Sequence, residues 1–403
     1  MPEFIQNVGL ELPLFLILMA LLGFRHRVNP SASLLVKAPP EKIFALVDLH
    51  HGKVQNWSRT TVTSDLVDAL RQVYRMTYAT SLSTGGLHSS EAHFRVAERR
   101  QPDYLELHRE GLEGKSLNNE LLKIVYAIEA LPNASRLTMK YAWGPRPLMA
   151  QMLARADLWG GAYRLKSVAE TGKPDETARL LISAAIAGVT GAVSLVAFAL
   201  LTNWLVSGLL LVALGVHEFG HLLAYRLTGQ PWGRMIFLPF LGAIAMPRLP
   251  FRSQAQAVFA ALMGTGFSLL LAFAIALPVM LGHTLPPWLN TAGIVVVALN
   301  LFNLLPVEPL DGGVALRSVL AKLMGNHARF GLLAIGALIL GAGFFFEQVA
   351  LLVFGLISIL ANLKPRLIDI GLTPLTSLQV TISACCFMAI VTAYIVLLKQ
   401  FAF

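Results

Sequence analysis

Apolar residues come in long unbroken runs over much of this chain. A helix of roughly 17–25 apolar residues suffices to cross a bilayer. Runs of that kind fall at 8–24, 180–201, 204–226, 256–281, 291–309, 330–346, 348–363 and 377–398. Between residues 30 and 175 the pattern is different. Ser33 to Lys37 alternates as a strand, and Pro39-Pro40-Glu41 opens a helix that ends near Trp57. Alternating stretches follow at Arg71 to Ser81, Glu91 to Ala97, Asp103 to Arg109, Leu121 to Leu131 and Ser135 to Trp143. A long amphipathic helix from Pro147 to Glu170 closes the region. Ala169 to Asp175, with Gly172 and Pro174, then serves as a linker. The pattern predicts a polytopic α-helical membrane protein of about eight spans carrying an inserted α+β domain. Its expected parts are an anchor at 1–29, a soluble domain at 30–175, a membrane core at 176–366 and a final span at 367–403.

Met235 to Met246 is apolar but too short to cross, and prolines bracket it on both sides. It reads as a hairpin or re-entrant loop, which a membrane tolerates where the loop lines a protein cavity. Its edge could hold an extended substrate strand by backbone pairing; an interfacial plug is the alternative.

Composition agrees with the pattern. The chain of 403 residues is 55% hydrophobic and only 14% charged, against roughly 25% charged in soluble domains. Its net charge of +9 forms no basic stripe of the kind nucleic acid needs. Arg25, Arg27, Arg226, Arg234, Arg248, Arg252, Arg317, Lys322, Arg329, Lys364 and Arg366 fall on one side of the predicted spans. The opposite loops carry no Lys or Arg, Lys399 excepted. The positive-inside bias puts the soluble domain in the cytoplasm, with a bacterial inner membrane as the expected setting. The first run follows Glu3 and no basic residue, so it reads as a retained anchor. Adjacent Cys385 and Cys386 imply no disulfide framework.

The chemistry concentrates at two places. His217-Glu218-Phe219-Gly220-His221 lies inside an apolar run. On a helix the two histidines project from one face with Cβ atoms about 6 Å apart, so both can bind one zinc ion. Glu218 then stands beside the metal as a proton acceptor. Three polar groups in five residues are costly in a membrane helix unless used. Catalytic zinc needs a third protein ligand, and Asp311 is the candidate. Pro306 and Pro309 should break the helix after Asn303 and free carbonyls near the site. Gly312 and Gly313 would let Asp311 approach the metal. The structural alternatives are a hydrogen-bonded buried histidine pair, an interfacial aspartate and an asparagine serving a helix–helix contact. His50 and His51 are adjacent and chelate poorly; Glu308 reads as a solvated rim residue, and Glu11 as one that snorkels outward.

Together, His217, Glu218 and His221 followed by Asn303, Pro306, Asp311 and Gly312 resemble the site-2 protease family of intramembrane zinc metalloproteases. That family carries HExxH on one membrane helix and N-x-x-P-x-x-x-x-D-G on a later one. The resemblance covers residues 180–363. It implies that His217, His221 and Asp311 hold Zn2+, that Glu218 is general base or acid, and that Asn303 orients substrate or water. It also implies a membrane-embedded protein substrate. The sequence shows no PDZ-like insert, and the leading soluble domain departs from the family, which leaves substrate choice open. That domain resembles the START-like or polyketide-cyclase helix-grip fold at Val36 to Trp57 and Leu158 to Glu170, which implies an apolar ligand pocket or a docking role. The expected function is intramembrane proteolysis. The alternatives are a lipid-binding or scaffold protein with a vestigial metal site, and a zinc hydrolase of a small amphiphile.

Overall fold

Strand alternation in the first part of the chain resolves into one antiparallel sheet of nine strands. The computed structural model describes residues 25–55, 57, 61–81, 87–110, 121–175, 177–307, 310–363 and 372–402. The expected span at 8–24, together with Glu11, Glu308, Pro309, Lys364 and Arg366, lies outside these residues. The chain divides into two compact units, Met1–Ala185 and Ile186–Phe403.

In the first unit the elements are β1 (Arg25–Val28), β2 (Ser31–Val36), α1 (Pro40–Val47), β3 (Lys53–Gln55), β4 (Thr61–Asp68) and β5 (Val73–Ser81). There follow β6 (Leu87–Arg100), β7 (Tyr104–Glu110), β8 (Leu121–Leu131), β9 (Ala134–Pro147) and α2 (Leu148–Thr171). The sheet runs from β3 through β4, β5, β6, β7 and β8 to β9. The long strand β9 pairs with β2 along Ser135 to Lys140 and with β1 from Trp143 to Pro147. Alternate residues such as Met76, Phe94, Leu105, Leu107, Tyr126, Leu137 and Met139 point to one face. Leu158, Ala162, Leu165 and Ala169 of α2, at helical spacing, pack against that face together with Ile43 and Phe44 of α1. A curled antiparallel sheet gripping a closing helix is the arrangement that the helix-grip resemblance implies.

One local expectation needs correction. The first helix stops at Val47 instead of continuing to Trp57. Asp48 turns extended, and its buried carboxylate binds Arg99 Nε at 3.0 Å and His50 Nε2 at 3.0 Å. Gly52, at a φ of +72°, then reverses the chain into β3, which pairs with β4. β1, β3 and β4 had no strong alternation in the sequence, and the long-range partners supplied by β9 and β5 define them instead.

The second unit is helical. Its elements are α3 (Thr177–Leu201), in which the division falls, α4 (Trp204–Leu227), the hairpin β10 (Arg234–Leu238) and β11 (Gly242–Met246), and α5 (Gln254–Met280). After these come α6 (Pro287–Asn303), α7 (Asp311–Met324), α8 (Ala328–Phe345), α9 (Val349–Asn362) and α10 (Ser377–Ala402). Among the described residues five helices are long and apolar enough to cross a membrane: Leu180–Leu201, Trp204–Leu227, Gln254–Met280, Ala328–Phe345 and Ser377–Phe401. The expected spans at 291–309 and 348–363 coincide with shorter apolar helices of 17 and 14 residues. The first of these ends at Asn303, three residues before Pro306. Asp311 is therefore not the tail of that helix; it opens the separate helix α7.

Close backbone approach sets the packing. A Cβ on Gly220 would fall 2.3 Å from the Met263 carbonyl oxygen, so α4 and α5 meet at contact distance only because that position is glycine. α10 closes the core. Tyr394 donates to the Thr265 carbonyl at 2.7 Å, and the Phe401 ring fills the notch at Gly293. The segment before α10 is fixed as well, through a parallel bridge from Thr373 to Ser253.

Candidate metal centre

His217, Glu218 and His221 are all buried on α4, on the face turned toward α5, α6 and α7. The apolar environment forces each polar atom to find a partner, and the partners fix the ring orientation. Asn300 on α6 donates from Nδ2 to the Val296 carbonyl at 2.8 Å, which turns its Oδ1 toward His217. His217 Nδ1 lies 2.9 Å from that oxygen, and His221 Nδ1 lies 2.7 Å from the Ala260 carbonyl on α5. Both acceptors lack protons, so both Nδ1 atoms donate. In its neutral form a ring held this way has a bare Nε2 lone pair.

Those two lone pairs point at one another. The Nε2 atoms are 3.1 Å apart, and Asp311 Oδ2 sits 3.2 Å from the first and 3.5 Å from the second. Asp311 Oδ2 is buried and accepts no hydrogen bond. Three inward acceptors with no donor among them repel one another unless a cation lies between. Ligand atoms at 2.0–2.1 Å around one tetrahedral zinc would be about 3.3 Å apart, so the observed spacing fits such an ion. The ligand atoms of His217, Glu218 and His221 also lie within 4.8 Å of one another.

The surroundings hold this set in place. A Cβ on Gly264 would meet the His221 ring at 2.4 Å, so only glycine admits the imidazole there. A Cβ on Gly312 would strike the Leu304 carbonyl oxygen at 2.0 Å, so the start of α7 lies directly on the end of α6. Gly312 thus serves a close backbone approach within helical geometry. The carbonyl of Pro306, freed where α6 breaks, does not turn to the site. It accepts from Asn362 Nδ2 at 2.8 Å and Ser358 Oγ at 3.3 Å, both on α9.

A cavity of about 410 Å³ opens over the centre, walled by α4, β11, α6 and α7 and largely apolar. Asn303 lines it, with its amide donating to Leu299 of its own helix at 3.1 Å. The structure therefore brings His217, Glu218, His221 and Asp311 together and leaves Asn303 on the wall above them. The predicted hairpin is present and borders the cavity through Gly242 to Ala245. The Ala245 amide lies beside the Glu218 carboxylate, and Tyr225 donates to the Ala245 carbonyl at 3.1 Å. Asn300, Gly264 and Ala245 escaped the sequence reading. Only Asn300 left a signal there, as a second asparagine one helical turn before Asn303.

No family model matches the chain. A candidate zinc metalloprotease of Synechocystis sp. is 31% identical over 169 residues, 40% of this chain and 43% of that protein. The chain thus spans less than half the length of this curated relative. Among solved structures, the site-2 protease from Methanocaldococcus jannaschii is 21% identical, with a TM-score of 0.31, covering 46% of this chain and 90% of that one. The di-domain ARO/CYC StfQ from the steffimycin biosynthetic pathway is 12% identical, with a TM-score of 0.26, covering 36% and 51%. Through its paired motifs and its curated relative the chain resembles the site-2 protease family of zinc metalloproteases, with an N-terminal unit that resembles START-like helix-grip domains.

Proposed function

We propose that the protein is a zinc-dependent endopeptidase that hydrolyses a peptide bond in or near a membrane-embedded segment of a substrate protein. One observation carries the reading: His217 Nε2, His221 Nε2 and Asp311 Oδ2 converge within 3.5 Å, with the Glu218 carboxylate beside them, under an apolar cavity. A zinc ion held by these three residues would acidify water and polarise the scissile carbonyl.

The protein's own groups do the remaining work. Glu218 accepts the proton of the attacking water and passes it to the leaving amide nitrogen. The Ala245 amide stands beside that carboxylate. Asn303, on the wall above, orients the substrate backbone. A transmembrane helix hides its amides, so the bound segment must unwind. Within the described residues β11 pairs only with β10, and its outer edge faces the cavity. That edge can receive an unwound segment as an added strand. The chain works within a membrane of inner-membrane type, with the first unit in the cytoplasm.

The test uses the full chain reconstituted with a candidate single-pass substrate. Glu218→Gln should abolish cleavage while bound zinc is retained. Undiminished cleavage in that variant would overturn the mechanism.

A further inference from the structure

The outer face of α2 is unlike the rest of the first unit. Its core face is filled by Leu158, Ala162, Leu165 and Ala169. On a flank about 90° around the helix from it, Trp159 and Tyr163 remain 37% and 39% exposed, with ring centroids 6.1 Å apart. Arg155, Lys166 and Glu170 share that stripe, and all five residues fall within about 80° on a helix of 3.6 residues per turn. Glu170 is already engaged by the Lys37 amide at 2.7 Å, while its pair with Lys166 is long at 3.9 Å. The stripe therefore offers two aromatic rings flanked by two cations. Aromatic rings and basic side chains together are the composition of a membrane–water interface.

Chain connectivity supplies the partner. α2 has 24 residues and so measures about 36 Å. Its C-terminal end at Thr171 is six residues from Thr177, where α3 begins, a reach of at most about 22 Å. Exposed Leu180 and Leu181 already belong to the apolar stretch that can cross a membrane. At its other end α2 follows Pro147 directly, and Pro147 pairs with Arg25, the residue that succeeds the apolar run 8–24 of the sequence. Both ends of the helix are thus tied to apolar sequence of membrane-spanning character. A rod held near the bilayer at both ends lies along its surface, and the sheet already occupies its inner face.

We propose that α2 lies flat on the lipid headgroup region, with Trp159 and Tyr163 in the interface and Arg155 and Lys166 beside the lipid phosphates. This rests on the membrane-spanning character of the chain, not on its proteolysis, so the two can fail separately. The test places the full chain in nanodiscs with lipids brominated at shallow acyl positions. The emission lost in Trp159→Phe isolates that residue. Brominated lipid should quench most of this difference emission, and aqueous iodide little of it. Quenching by iodide with indifference to brominated lipid would overturn the proposal. A second measurement puts a nitroxide at Arg155→Cys in a Cys385→Ser, Cys386→Ser background. Relaxation by oxygen should exceed relaxation by a soluble nickel chelate. Dominance of the nickel chelate, or protection from both agents as by a protein partner, would overturn it as well.

Discussion

Asn300 does for His217 what the Ala260 carbonyl does for His221: each fixes a ring and its tautomer from a different helix. Such outer partners are worth roughly 10–100-fold in metal affinity. Asn300→Ala should therefore weaken zinc binding by about that factor, measured by competition with a chromogenic chelator on the purified full chain. Asn300→Asp keeps an acceptor and should recover part of the loss. An affinity unchanged in the alanine variant would remove Asn300 from the centre. The histidines and Glu218 were legible in the sequence because a helical repeat alone puts them on one face. Asn300 and Gly264 were not, since their importance arises only where α6 and α5 lie against α4.

At the level of elements, the hairpin and the break after α6 carry the design. The Ala245 amide and carbonyl point away from β10, toward Glu218 and Tyr225. Ala243, two residues earlier, offers its backbone groups on the same outer edge. Ala243→Pro removes one outward donor and leaves the ladder to β10 in place. Cleavage of an unwinding substrate should fall while zinc content stays constant, read from parallel peptide-release and metal assays. The Pro306 carbonyl gives a second prediction. Asn362→Leu strips away its shorter hydrogen bond, and an underserved buried carbonyl costs about 1–3 kcal/mol. Thermal unfolding in detergent should show that loss; an unchanged midpoint would mean Ser358 suffices. The proline break was readable in advance, but not the place where its carbonyl goes, because α9 lies more than 50 residues onward.

For the molecule as a whole, acid should act on a buttressed carboxylate of the first unit. Burial pushes the Glu106 carboxyl up, but hydrogen bonds from Lys123, Tyr104 and His108 outweigh it and hold its pKa at about 2. A depressed carboxyl stabilises the fold above its unfolded pKa, near 4.5, and that contribution disappears as pH falls toward 2. Glu106→Gln should flatten the loss of stability across this window, followed by hydrogen exchange of the β7 and β8 amides. An identical acid profile in the variant would assign the window to other groups. That a sheet-bearing part accompanies apolar helices was legible from hydropathy, whereas the span count was not, since short helices and α7 blur where one apolar run ends. The assembly of the metal centre from four helices, α4 to α7, with α10 packed behind them, bears on how the protein is made. A ribosome delivers the two histidines about ninety residues before the aspartate, and the buttressing last helix later still. If the centre cuts as proposed, a half-synthesised chain carries only part of its ligand set, which closes only when the stretch around Asp311 has been made.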